Sequence, residues 1–279
     1  MSEALDFSQR AQVEEEMDGP CSYEELRRCL RHLAIVNRLT LAHQHTLRWL
    51  DQVLRTPRLN PSRKFRLVDI GCGYGDMLRL IEQWAEKRGI QMELIGVDIN
   101  PNAIRAAREA TPECSRIRWV LGEASASPET QGVDLVTSCG VFHHLSEAEI
   151  VRLLEWMERT ATVGWYITDL HRKPVPYRVF DLLMRGPWWQ RFIRTDGLRS
   201  IRRSFLAEDW QRLCGQARID IPAIRMEECR PARLCVGRVK QETLDDSARA
   251  TAEPSQLRRA SKIPGPATRN QARRPLDVD

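Results

Sequence analysis

The residues best suited to chemistry follow a short apolar run near position 66. They form the stretch VDIGCGYGD, residues 68–76. Glycines at the end of a strand let the backbone turn tightly and let a ligand approach main-chain N–H groups. Asp98 lies 23 residues after Gly75, where a carboxylate can accept hydrogen bonds from both ribose hydroxyls of a nucleoside. The pattern predicts a site for a nucleoside-containing cofactor.

The spacing of the glycines separates two kinds of cofactor. A dinucleotide fingerprint, G-x-G-x-x-G, requires glycine at position 76, where this chain has Asp76. The loop is instead D-x-G-x-G-x-G and resembles motif I of the class I methyltransferases that use S-adenosylmethionine. Gly96-Val97-Asp98 resembles their second motif. An oxidoreductase is therefore the least favoured alternative.

The resemblance implies S-adenosylmethionine as cofactor and a role for each matching residue. Asp69 shapes the methionine end of the site together with the loop glycines, and Asp98 holds the ribose. Glu123 stands where many relatives carry an acidic residue that meets the adenine amino group. Arg38 either reaches the methionine carboxylate or caps a helical turn. The full predicted cofactor set is Asp69, Gly71, Cys72, Gly73, Gly75, Asp98, Ile99, Glu123, Ala124, Cys139 and Arg38.

Three histidines are candidates for proton transfer. His143 and His144 lie in TSCGVFHHL, residues 137–145, after the predicted fourth strand, and His171 follows the fifth. Strand ends on this side of a doubly wound sheet face the ligand crevice. A histidine with a pKa near ~6.5 can take the proton of a phenol with a pKa near ~10. The pattern leaves open which histidine acts, a packing role for the pair, and a surface role for His171.

The elements that must position these residues alternate along the chain. Apolar runs predict strands at 66–70, 93–98, 117–121, 133–138 and 163–169, and amphipathic patterns predict helices at 76–88, 101–110 and 146–160. Asn100 is the predicted N-cap of the second of these helices, with Pro101 at its first position. The alternation predicts an α/β fold, and the resemblance implies a doubly wound, Rossmann-like, seven-stranded methyltransferase sheet.

The flanking segments divide the chain into three parts. Residues 1–22 are acidic and predict a flexible arm. Residues 23–240 form the predicted methyltransferase domain, which begins with helices at 23–60 (two helices, or one kinked) and closes with a helix at 206–216 and an antiparallel pair at 219–227 and 233–239. Residues 241–279 lack aromatics and predict a disordered tail.

Residues 172–205 break the alternation with prolines, arginines and aromatics, and they predict an insertion over the sheet. The resemblance implies that this insertion is a helical lid that covers the acceptor together with the N-terminal helices. Alternatives are a basic patch lying on an anionic membrane and an ordinary packed subdomain. Asn37-Arg38 and RTDGLRSIRRSF, residues 194–205, resemble a bacterial small-molecule group found beside type III polyketide synthases. That resemblance implies O-methylation of a phenolic or polyketide hydroxyl. C-methylation of a quinone precursor, carboxylate methylation and a catalytically silent cofactor-binding protein remain alternatives.

Composition restricts the class of protein further. A chain of 279 residues with 42% hydrophobic residues is neither a small stapled module nor disordered throughout. Its net charge of +5 does not by itself favour nucleic acid. The methyltransferases that modify amino groups of bases usually carry an Asn/Asp-Pro-Pro-aromatic motif after the fourth strand, and this chain lacks it there. We therefore expect a small-molecule acceptor, aromatic or acidic in character, and no nucleic acid. The oligomeric state is left open.

The apolar stretches and the cysteines indicate the compartment. No run approaches the ~20 apolar residues of a membrane span, and the start of the chain has no signal-peptide core. The eight cysteines are scattered, without a Cys-x-x-Cys pair or zinc-type spacing. We expect a cytoplasmic protein with reduced thiols, no metal site and no transmembrane segment.

Overall fold

A computed structural model describes residues 5–16, 19, 21–55, 59, 63–186 and 191–240 of the chain, with the side chains of 191 and 192 left aside. The predicted tail, 241–279, lies outside these residues, as do Trp188 and Trp189 of the predicted insertion. No helix in the described ranges is long and apolar enough to cross a bilayer.

Seven strands form one mixed sheet in the described part of the chain. They are β1 Phe65–Ile70, β2 Met92–Asp98, β3 Arg118–Leu121, β4 Leu135–Cys139, β5 Gly164–Leu170, β6 Ile224–Cys229 and β7 Arg233–Val239. Their order across the sheet is β3-β2-β1-β4-β5-β7-β6, with β1 to β5 parallel and β7 antiparallel to both neighbours. This confirms the predicted seven-stranded, doubly wound fold. β6 begins later than predicted because residues 221–223 form a 3-10 turn.

Eight helices accompany the sheet in the described ranges. They are α1 Tyr23–Leu39, α2 Ala42–Leu54, α3 Asp76–Arg88, α4 Pro101–Glu109, α5 Glu147–Thr160, α6 Pro174–Leu183, α7 Arg191–Arg203 and α8 Ala207–Gln216. The leading segment is two helices, because Leu41 has a left-handed backbone with φ of 53° that ends the first. Asn100 accepts from the Asn102 N–H and caps α4 as predicted.

Both faces of the sheet are apolar, as expected for parallel strands covered on two sides. Along β1, Val68 and Ile70 contribute to one core, which includes Trp165 and Trp210. Leu67 contributes to the opposite core with residues of α2 and α3. In a doubly wound sheet the ligand crevice lies outside the carboxyl ends of the parallel strands, where the loops carry the polar residues described below.

The inserted segment and the acidic arm both lie against the domain. Residues 174–183 and 191–203 form α6 and α7, and the Phe180 ring approaches Gly197 so closely that an added Cβ would lie 2.4 Å from it. Arg10 in the arm donates to the Arg203 and Leu145 carbonyls at 2.8 and 3.1 Å. Residues 7–16 thus contact the domain, which differs from the predicted flexible arm, because carbonyl oxygens of distant residues accept hydrogen bonds from Arg10, the one basic residue of the arm.

Candidate active site

The glycine loop joins β1 to α3 and needs its glycines for two reasons. Gly71, Gly73 and Gly75 have φ values of 63°, 51° and 74°, a region that residues with a Cβ rarely adopt. A Cβ on Gly71 would lie 2.4 Å from Val141, and one on Gly75 would lie 2.3 Å from the Trp119 ring. The loop therefore turns tightly and keeps its backbone accessible from the cavity.

Asp98 connects the end of β2 to this loop. Its Oδ2 accepts from the Gly73 N–H and its Oδ1 from the Asn100 N–H, both at 2.9 Å. Burial raises the pKa of the carboxyl group, and the two backbone hydrogen bonds oppose that shift. Each oxygen keeps a further lone pair, so the carboxylate can still accept from two hydroxyls.

Asp69 lies deeper in the same site, with 3% of its surface exposed. It accepts a hydrogen bond from Thr137 Oγ1 at 2.8 Å. Burial raises the pKa of this carboxyl group to about 7, although the hydroxyl of Thr137 and the nearby His43 oppose the shift. A positively charged ligand beside Asp69 would favour the ionised carboxylate.

His43 is a site residue that sequence reasoning missed. It comes from α2, and its Nε2 lies 2.6 Å from Oδ2 of Asp76, the residue that excluded a dinucleotide fingerprint. Burial alone would lower the pKa of His43, but the contact with Asp76 raises it to about 10. The pair anchors the start of α3 to α2. The only signal in the sequence is a polar residue on the buried face of an amphipathic helix.

One cavity of about 1010 Å³ runs along the carboxyl ends of the strands. Arg38 does not line it, because this side chain is exposed on α1, whereas its neighbour Asn37 does. Gly75 shapes the loop without facing the cavity. The predicted cofactor residues that line the cavity are Asp69, Gly71, Cys72, Gly73, Asp98, Ile99, Glu123, Ala124 and Cys139.

The structure separates the three predicted histidines. His143 is buried, and its Nδ1 lies 2.7 Å from Oδ1 of Asp169. The other carboxylate oxygen, Oδ2, accepts from the His143 backbone N–H at 3.2 Å. The ring of His144 lies 4.2 Å from that of His143, and both line the cavity. His171 is buried elsewhere, beside Glu228, and does not line it.

Two further charged residues reach the cavity from distant segments. Glu15 of the arm is 4% exposed, and its Oε1 lies 3.8 Å from His143 Nε2 and 3.7 Å from Arg203 Nη1, with no hydrogen-bond partner among the described residues. Arg233, at the start of β7, donates to Asn37 Oδ1 at 3.2 Å. Neither carries a local sequence signal, since Glu15 lies in an acidic run and Arg233 in an apolar strand.

The chain is similar to known methyltransferases over the segment that contains the glycine loop and Asp98. Residues 67–164 match the family described as a methyltransferase domain. Indolepyruvate C-methyltransferase from Streptomyces griseus is 31% identical over 107 residues, which cover 37% of this chain and 31% of that protein. Trans-aconitate 2-methyltransferase from Azoarcus sp. (strain BH72) is 28% identical over 110 residues, 39% of each chain.

A solved structure agrees on the fold. The plantazolicin methyltransferase, determined in complex with S-adenosylhomocysteine, superposes with a TM-score of 0.57 at 13% identity, over 78% of this chain and 89% of that one. The chain spans between 31% and 51% of the length of the curated relatives it matches. Over residues 67–164 the chain thus carries a methyltransferase domain, whose fold is that of methyltransferases that use S-adenosylmethionine as cofactor.

Proposed function

We propose that the protein transfers the methyl group of S-adenosylmethionine to a hydroxyl oxygen of a small organic acceptor, in the first place a phenolic or polyketide hydroxyl. One observation carries the proposal: nine of the eleven predicted cofactor residues and His143, which is paired with Asp169, line a single cavity of about 1010 Å³. The smallest pockets for one ligand occupy ~300 Å³, so about 1010 Å³ is enough for a cofactor and a small acceptor side by side.

The residues of the glycine loop suit the cofactor well. Bound S-adenosylmethionine supplies an electrophilic methyl group. Asp98 offers two acceptor oxygens to the ribose hydroxyls. Glu123 and Asp69 line the same cavity, and we assign Glu123 to the adenine and Asp69 to the methionine end. The loop glycines keep the backbone close enough for this contact. Holding the cofactor and the acceptor in line with water excluded supplies much of the catalysis.

The His143–Asp169 pair can accept the proton of a hydroxyl acceptor. Burial would raise the pKa of Asp169, but His143 and a backbone hydrogen bond hold it below its usual value, so the carboxylate stays ionised. When Asp169 accepts the Nδ1–H of His143, the lone pair of Nε2 is available as a base. Asp169 is thus a positioning residue and His143 the proposed catalytic base.

The remaining walls of the cavity fit an aromatic acceptor beside the cofactor. Phe180 from α6 and Ile193 and Ile201 from α7 provide apolar surface. Arg233 and the buried carboxylate of Glu15 provide polar contacts at the same end. We propose that α6, α7 and the arm together form the cover over the acceptor, which gives the insertion the role of a lid.

A second candidate is methylation of a carboxylate. Arg233 in the cavity favours an acidic acceptor, and two curated relatives are named trans-aconitate 2-methyltransferases. Another is named an indolepyruvate C-methyltransferase, which supports an acidic acceptor but names carbon as the methylated atom. A carboxylate is already ionised at neutral pH, so its methylation needs no base. The two candidates therefore differ in how strongly they depend on His143.

The experiment has a binding step and a turnover step. Calorimetric titration should show binding of S-adenosylhomocysteine and no binding of NADH. Transfer of labelled methyl groups to phenols and to carboxylic acids is then compared in the native protein, His143→Gln and His144→Gln. For a phenol, His143→Gln should lower turnover by roughly 100-fold or more without changing cofactor affinity, and His144→Gln should lower it much less.

The other outcomes are equally informative. Transfer to a carboxylic acid that survives His143→Gln would replace the phenol with the carboxylate candidate. Equal losses of binding and turnover in His143→Gln would mark that residue as structural. Failure of S-adenosylhomocysteine to bind would contradict both candidates, whereas binding without transfer to any acceptor would favour a catalytically silent cofactor-binding protein.

A further inference from the structure

We infer that His45, Cys229 and Cys235 form a zinc site, separate from the active-site cavity, that joins α2 to the β6–β7 hairpin. One imidazole nitrogen and the two sulfur atoms all lie within 4.8 Å of one another. None of the three residues lines the cavity. The sequence predicts no such site because the ligands come from two elements about 190 residues apart.

The topology of the sheet places both cysteines on one face of the hairpin. In the antiparallel register of β6 and β7, Cys235 lies opposite Glu227, and Cys229 is two residues further along β6. Residues two apart on a strand point to the same face, so both sulfurs face the same side. Cys235 belongs to the core that includes Trp49 and Leu50 of α2, the helix that carries His45.

The spacing of the donor atoms needs little adjustment to bind a metal ion. In a tetrahedral zinc centre with bonds of ~2.0–2.3 Å, neighbouring donor atoms lie ~3.3–3.8 Å apart. The observed upper limit of 4.8 Å is about 1 Å longer, a change that side-chain rotations can supply. Cys229 is only partly buried, so a water molecule can reach the fourth position.

The ligand types select a borderline-soft divalent ion. Two thiolates and one imidazole are a donor set that zinc uses in proteins. The Nε2 of His45 lies 3.1 Å from the carbonyl oxygen of Arg230, and a hydrogen bond of this kind from a ligating histidine orients its ring. This contact leaves Nδ1 of His45 free to bind the ion.

The charge balance is also favourable. Binding forms two Zn–S bonds and one Zn–N bond and releases two thiol protons to solvent, so the net charge of the site does not change. Arg48, Arg225 and Glu227 lie near Cys229, and Arg48 and Arg233 lie near His45. A neutral centre suits a neighbourhood that already carries several arginines.

The consequence concerns the acceptor end of the cavity. β7 begins with Arg233, which lines the cavity, and α2 carries His43, which holds Asp76. A zinc ion between α2 and the hairpin would therefore fix two elements that position the cavity walls. We expect it to stabilise the fold without taking part in methyl transfer.

The test uses the reduced, untagged, full-length protein after removal of metal with a chelator. Titration with Zn²⁺ alone should give one tight site per chain, and Co²⁺ should produce the intense visible absorption of a tetrahedral thiolate complex. With free Zn²⁺ at ~100 times Kd, the melting temperature should rise by about 5 to 10 °C. Cys229→Ser and His45→Gln should each weaken zinc binding at least 100-fold.

Two controls make the assignment specific. Cys114→Ser, which removes an exposed cysteine outside the cluster, should keep the site. His143→Gln should also keep it; this variant tests the cavity group of Glu15, His143 and His144, whose donor atoms are similarly close. Absence of a zinc site in the native protein, or its survival in both Cys229→Ser and His45→Gln, overturns the inference. If one of these two variants does not fold, the other gives the same answer.

Discussion

Replacing Asp98 with asparagine tests the cofactor site at the residue that the structure ties most firmly to the glycine loop. The native carboxylate accepts one backbone N–H on each oxygen, at 2.9 Å from Gly73 and 2.9 Å from Asn100. The remaining lone pairs are those we assign to the ribose hydroxyls. Asp98→Asn keeps the size of the side chain but replaces one acceptor oxygen with an NH₂ group, which cannot accept from either partner.

The magnitude follows from the bonds that are lost. One hydrogen bond from a ribose hydroxyl to a charged oxygen disappears and the other becomes a bond between neutral groups. A hydrogen bond to a charged group contributes about 1.5 to 3 kcal/mol, so the affinity for S-adenosylhomocysteine should fall by ~10- to 150-fold. Adenine, which lacks the ribose, should bind the native protein and the variant equally.

The assay is calorimetric titration with S-adenosylhomocysteine, with the melting temperature recorded for each variant. Asp51→Asn is a matched control, because this carboxylate on α2 pairs with Arg55 and Arg88 on the surface, away from the cavity. It should leave cofactor affinity unchanged. A folded Asp98→Asn protein whose Kd stays within about threefold of the native value would refute the ribose assignment.

Three further predictions follow from the glycine loop and its anchors. Gly75→Ala should lower the free energy of unfolding by about 1–3 kcal/mol more than Gly89→Ala does. Both glycines have positive φ, but only at Gly75 would a Cβ press against the Trp119 ring. Chemical denaturation measures both losses, and equal losses would contradict the prediction. At pH 6, cofactor binding should release close to one proton from Asp69, because the pKa of this carboxyl group is about 7 before binding. Calorimetry in buffers of different ionisation enthalpy measures the proton release, which Asp69→Asn should abolish. His43 has a pKa of about 10 in the folded protein against ~6.5 in the unfolded chain, so it should stabilise the fold fully below pH 6.5 and progressively less toward pH 10. His43→Gln should remove this pH dependence of the free energy of unfolding. An unchanged dependence would mean that the contact with Asp76 contributes little.

Much of the fold could be predicted from the sequence because its signals are local. The apolar run at 66–70 and the helix at 76–88 correspond to β1 and α3 within one residue at either end. The N-cap at Asn100 depends on one side chain and the next two residues. The glycine loop is equally local, since the tight turn predicted from its glycines is made by three of them with positive φ.

Prediction was less successful where a residue's role depends on a distant partner. Arg38 is in a helix that borders the cavity, but the rotation of α1 presents Asn37 to it instead. His171 follows a strand whose end faces the site, yet its bridge to Phe205 draws it away. A helix rotation by one residue, or one additional backbone bridge, decides whether such a side chain faces the cavity. Neither can be predicted from residue spacing.

By itself, then, the sequence determined the order of strands and helices, the glycine loop and the acidic residue at position 98, because short-range geometry and hydrophobic periodicity control these features. Tertiary structure alone decided that Glu15 meets His143, that His43 holds Asp76, and that one histidine and two cysteines come together. These contacts form only when burial in the packed domain brings together groups from distant segments and removes them from water.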